Sequence, residues 1–146
     1  MPQPRSKVSL SAGDRSLLLE ALRASRDDPA GFPVESDRRE RLERWIERFE
    51  ERAGAGPVEV RVAPSDWDVL QTSLGWLIRD LRAQCNRHFD VLQAGLVRPD
   101  TVAPDHLTAA QRDLGRLEQA TVLLEHLRSR LVNEQERAAR RRRILP

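Results

Sequence analysis

The residues whose chemistry could be put to use are three histidines, one cysteine, two carboxylate pairs and a group of arginines near the end of the chain. Nucleophilic catalysis needs a nucleophile, a base and a group that orients the base. His88 lies on or beside an apolar helical stripe. His106 follows Asp105 where a helix begins and reads as a first-turn surface residue, and His126 falls within a further helical run. No two histidines are four apart, the spacing that puts two imidazoles on one helical face for zinc, and a single cysteine cannot complete such a site. No metal and no cofactor are therefore expected. Cys85 sits among apolar positions and reads as a small buried hydrophobe with no base beside it.

Asp27-Asp28 and Glu50-Glu51 are neighbours in sequence, so their side chains point in different directions, and both pairs border loops. Gly54-x-Gly56-Pro57 lacks the following Gly-Lys-Ser/Thr of a phosphate cradle and leads into a strand pattern rather than a helix. No catalytic apparatus is expected from these residues.

The sharpest local feature is the basic tail, 137–146, in which Arg137, Arg140, Arg141, Arg142 and Arg143 precede Ile144-Leu145-Pro146. Clustered guanidiniums bind nucleic-acid phosphates with a strong salt dependence, because each contact releases condensed counterions. An acidic protein partner suits them equally, and cations also complement the dipole at a helix C-terminus. No stacking aromatic accompanies the tail. Among the tryptophans, Trp45 and Trp67 fall on apolar stripes. Trp76, between Leu74 and Leu77, is either a flank of the core or an exposed contact aromatic.

Composition bounds the elements that must position these groups. A chain of 146 residues suffices for one compact domain. With 33% charged residues, 39% hydrophobic, 4% aromatic and no tyrosine, leucine must carry the core of thin helical layers. Lys7 is the only lysine, and the formal net charge of +2 says little about partners by itself. One cysteine forbids an intramolecular disulfide and fits a reducing compartment. No apolar stretch of signal length follows Met1, and nothing approaches a membrane span, so the expected location is cytoplasmic with no membrane partner.

The periodicity predicts a mainly α fold. Two short strands are expected at about 7–10 and 58–62, where Val58-Glu59-Val60-Arg61-Val62 alternates strictly. Ser11 to Asp14 can cap a first helix carrying Leu17, Leu18 and Leu22. Ser36 or Asp37 can cap a second, in which Leu42, Trp45, Ile46 and Phe49 share one side. Its other side is arginine and glutamate, including Glu40 one turn from Arg44, and reads as a solvated face. Two long helices follow at about 65–94 and 105–140, joined by the proline-containing loop Arg98 to Pro104 and packed as an antiparallel hairpin.

The first long helix is expected to start at a Ser65-to-Asp68 capping box and to end at Gly95, with an apolar stripe from Trp67 through Leu81 and Cys85 to Phe89 and Leu92. The second carries Leu107, Ala110, Leu114, Leu117, Thr121, Leu124 and Leu131, widened by Val122, Leu123 and Leu127. The whole reads as a single helical domain, 1–146, with a two-part organisation, 1–53 and 58–146, about the Gly/Pro linker 54–57.

Shifting the chain by 52 positions (60 − 8) lays Val8 on Val60, Asp14 on Asp66, Leu18 on Leu70 and Leu22 on Leu74 without a gap. The match is the outline either of a duplication or simply of any strand that leads into a capped amphipathic helix, and it suggests that the strands pair. If they do not, Val58, Val60 and Val62 mark an edge to which a partner can add a strand. Surplus apolar surface then points to a non-enzymatic helical interaction module, an adaptor or assembly subunit with a protein partner or a second copy of itself. The alternative is a nucleic-acid-binding accessory protein using the arginine tail, helped by Arg41, Arg48 and Arg52; no small-molecule substrate is evident.

Overall fold

In the computed structural model, residues 5–28, 30–52, 56–98 and 105–144 are described. Pro29, the linker positions 54 and 55, the loop residues 99–104 and the terminal 145–146, on which several sequence expectations fall, lie outside the described residues. The order of elements is β1 (Ser6–Leu10), α1 (Ala12–Asp27), α2 (Asp37–Glu51), β2 (Val58–Val62), α3 (Pro64–Val97) and α4 (His106–Ile144).

The two strands pair with each other. β1 and β2 are antiparallel, with Val8 opposite Val60, Ser6 opposite Val62 and Leu10 opposite Val58. Their alternation puts those six side chains inward and leaves Lys7, Ser9, Glu59 and Arg61 outside, as a half-buried ribbon requires. Val58, Val60 and Val62 thus face the interior of this chain, and β2 pairs with β1 along one of its two edges.

Each strand runs into a helix through one cap residue. Ser11 Oγ accepts the N–H of Asp14 at 3.1 Å and starts α1. Ser36 Oγ does the same for Arg39 at 3.1 Å and starts α2. The start of α3 differs from the expected box. Pro64 occupies the first turn, where its missing N–H costs nothing, so Ala63 is the cap and Asp66, not Asp68, turns back to accept the Ala63 N–H at 3.2 Å. Asp68 pairs instead with Arg38 of α2 at 2.9 Å.

The shift of 52 positions (60 − 8) reproduces every boundary at this end: β1 at 6–10 falls on β2 at 58–62, and the start of α1 at 12 falls on the start of α3 at 64. The ladder has a local two-fold through Val8 and Val60, and the matched positions Leu17 and Val69, Leu18 and Leu70, and Leu22 and Leu74 are all buried.

α3 and α4, 34 and 39 residues long, make the most extensive helix contact and form the antiparallel hairpin. His88 and Asp113 face each other across it. Counting in opposite directions from that pair brings Leu81 level with Ala120, Leu74 with Leu127 and Leu70 with Leu131, every one buried. The stripe of α4 that faces the core is therefore Asp113, Ala120, Leu123, Leu127 and Leu131. The heptad through Leu107 and Leu114 runs along an outer face, where these two are 52% and 58% exposed. α1 covers α3 and touches α4, α2 closes over α1 and α3, and one apolar cluster draws on all six elements on both sides of the linker.

α3 also runs past Gly95. Its cap is Arg98, whose N–H reaches Ala94 O, and Leu96 within the helix is 85% exposed. With α1 reaching only part of the way along the hairpin, no hydrophobic side chain described in α3 is buried beyond Leu81, and α4 buries nothing before Ala120 except Asp113.

Candidate functional site

Two regions gather chemically capable side chains, one at each end of α3. The first lies where α2, β2 and the first turn of α3 meet. Arg41, Arg44 and Arg48 recur at three and four positions along α2, which places them along one side of the helix beside its buried stripe. Arg61 points outward from β2, and Arg5 precedes β1. These five, with Ser65 and Asp66 of α3, line a cleft of about 270 Å³. Its floor includes Trp45, which is fully packed beneath, and the Arg48 guanidinium lies 4.6 Å over the indole ring. A second cleft of about 320 Å³ shares Arg5, Arg48 and Arg61 and adds Arg52 and Glu59.

Pairing around this cleft is sparse. Arg44 meets Glu40 at 3.2 Å on the exposed side of α2, and no ion pair involves Arg5, Arg41 or Arg61 among the described residues. Elsewhere arginines are matched to acids on neighbouring elements: Arg23 with Glu50 at 2.9 Å, Arg38 with Asp68 at 2.9 Å, and Arg116 with Glu20.

The second region is the projecting end of the hairpin. Here Asp113, 6% exposed, accepts a hydrogen bond from His88 Nε2 at 2.8 Å, while His88 Nδ1 lies 3.3 Å from His106 Nε2. The His88 N–H, assisted by Arg112 and Arg116, holds the Asp113 carboxyl below its ordinary value of 3.8, although burial acts in the opposite direction. The arrangement uses both ring nitrogens of His88, one on each neighbour, so none is left to take a proton from the half-buried Cys85 nearby. No group of three or more His, Cys, Asp or Glu side chains suited to a metal occurs among the described residues. Cys85, Phe89, Leu92, Ala110 and Leu114 line an adjacent, mostly apolar cleft of about 300 Å³.

In the sequence His88 and His106 read as unrelated and Cys85 as buried, whereas the two histidines adjoin and Cys85 is half-buried. The signal that unites them is the register of the leucine stripes, which puts His88 opposite Asp113. The other predicted residues are placed as follows. Arg137, Arg140, Arg141, Arg142 and Arg143 are exposed on the final turns of α4 and line none of these clefts. Trp76 is half-buried against Phe32, ring centroids 5.3 Å apart. Val58, Val60 and Val62 face the core, and of the second-helix arginines Arg41 and Arg48 join the first cleft and Arg52 the second. No described helix is long and apolar enough to cross a membrane. No family model, curated protein or solved structure matches the chain.

Proposed function

We propose that this chain is a non-enzymatic helical interaction module that pairs with a second copy of itself through the projecting ends of α3 and α4. One observation carries the reading. Past Cys85 and before Arg116, which Glu20 of α1 still reaches, no described hydrophobic side chain of the hairpin is buried; Phe89 and Leu114, 59% and 58% exposed, line the 300 Å³ cleft, and Leu107, one heptad before Leu114, is 52% exposed. An isolated pair of amphipathic helices leaves the apolar surface outside its seam in water, and burying it stabilises at roughly 25 cal/mol per Å².

A second copy is the occupant that suits this surface. Its charges are mixed in sign, with Arg82, Arg87 and Arg112 among Asp90 and Glu118, so a two-fold pairing sets acids against bases without a large field of either sign. Two hairpin ends laid together also make four helices, the layer thickness that α1 and α2 supply in the body.

Sedimentation equilibrium at micromolar concentration tests the reading. The wild-type chain is expected to weigh as a dimer and the Phe89→Glu, Leu114→Glu double variant as a monomer with an unchanged far-UV spectrum, since both side chains are largely in solvent. A wild-type monomer throughout that range, or a dimer indifferent to the two substitutions, refutes it.

A second reading, nucleic-acid binding through the tail, rests on the exposure of Arg137 and of Arg140 to Arg143 along one helix end. Truncation after Glu136 is then expected to abolish low-salt binding to DNA and RNA. Binding unchanged by the deletion excludes it.

A further inference from the structure

The arginine cleft lies at the opposite end of α3, about 50 Å from the hairpin tip by helix rise; the nucleic-acid reading touches it only through Arg41 and Arg48 as helpers of the tail. Five guanidiniums from three separate parts of the chain line it with a single carboxylate, Asp66, which already accepts the Ala63 N–H, while Arg44 alone of the five is ion-paired, to Glu40 on the exposed side of α2. Like charges gathered in one concave site repel, and the low-dielectric wall beneath them, Trp45 with Phe49 behind it, sharpens the field. The chain carries 23 acids, and its arginines on adjoining surfaces are paired with them, so the lack of counter-ions at Arg5, Arg41 and Arg61 is local and not compositional.

We infer that the cleft between α2, β2 and the first turn of α3 binds a phosphate-bearing anion, held by Arg5, Arg41, Arg44, Arg48 and Arg61. The planar guanidinium fork matches phosphate oxygens two at a time, which a point-charge ammonium cannot do. Arg48 is pre-positioned by its stacking on Trp45, and Arg41 is half-buried, so less side-chain freedom is lost on binding than at an open basic surface. The adjoining cleft shares Arg5, Arg48 and Arg61, which extends the basic surface beyond the reach of one phosphate. The ligand therefore carries at least two, as a diphosphate or as successive phosphodiesters of a strand.

Calorimetric titration of the full chain with sodium pyrophosphate, at ionic strength held constant with sodium chloride, is run beside anisotropy titration of a short single-stranded DNA. Saturable binding of pyrophosphate identifies a small phosphorylated ligand, and saturation with DNA alone identifies a phosphodiester strand; either supports the cleft. In both cases affinity is expected to fall about tenfold or more in the Arg41→Gln, Arg61→Gln double variant. It should fall less in each single variant and persist after truncation following Glu136. Melting curves confirm that the variants fold, and the two single variants act from different elements. Saturation with neither probe overturns the proposal. So does affinity that is unchanged by the double variant, or that disappears with the tail while ignoring Arg41 and Arg61.

Discussion

Asp113 shows how one buried carboxylate depends on its donor. His88 supplies the nearest hydrogen bond, and Arg112 and Arg116 stand at 3.8 and 3.9 Å. Replacing His88 by alanine removes the donor while leaving the charge in place, a loss of about 2 kcal/mol measurable by urea unfolding at neutral pH. The same contact has a pH signature. Because the folded-state pKa of Asp113 lies below its ordinary 3.8, its contribution is fully present above that value and is lost as pH falls through the lower folded one. Carbon-detected titration of the Asp113 carboxyl is expected to give a midpoint under 3.8, moving upward in His88→Ala; a midpoint indifferent to His88 contradicts the account. Ser73 makes the opposite case. It is fully buried on α3, and its hydroxyl finds no partner among the described residues. The 52-position shift puts Ala21 of α1 at the equivalent place, also buried, so Ser73→Ala is expected to be neutral or to stabilise by up to about 1 kcal/mol in the same assay.

At the scale of elements, three glycines separate steric need from mere tolerance. A Cβ on Gly31 would lie 2.4 Å from Ser25 O and 3.0 Å from Asp28 O, both backbone atoms at the end of α1 that cannot swing aside. Gly31→Ala is expected to cost about 1–3 kcal/mol through displacement of that turn. Gly75 in α3 and Gly115 in α4 have nothing within 4 Å, so alanine there gains helix propensity of roughly 0.5–1 kcal/mol each; thermal melts of the three variants should order them accordingly. The elements themselves were legible because their periods and caps are local properties: Val58 to Val62 alternates, Ser11 and Ser36 cap, and Leu70, Leu74 and Leu81 keep helical spacing. What local pattern could not supply was orientation. Leu107 and Leu114 obey a heptad as well as Leu123 and Leu127 do, but only contact with α3 decides which face is inside. Gly95 carries a stop signal that the helix overrides, ending at Val97 with Arg98 as its cap.

For the whole molecule, the arrangement that sequence could not reveal is the one that brings distant residues together. Arg5, Arg41 and Arg61 share a cleft only because β1 lies beside β2 and α2 packs across them, and His88 meets Asp113 only through the hairpin register. The second-helix arginines were visible as a charged face, and nothing in their spacing marked them as one wall of a concavity. The same whole-chain packing divides α3 into two regimes. Up to Leu81 its hydrophobic side chains are buried against α1, α2 and α4, and beyond it none of those described is buried, although α1 still reaches α4 through Glu20 and Arg116. Local opening free energy follows buried apolar contact, so amide exchange of dilute protein is expected to be slowest over 70–81 and 120–131 and to quicken over 84–97 and 106–117. If two copies pair by these ends, protection of the second set rises with protein concentration while that of the first does not, because association stabilises only the surface it covers. Uniform protection to both helix ends at high dilution would mean that the hairpin tip holds itself together without a partner and that its exposed leucines and Phe89 do not call for one.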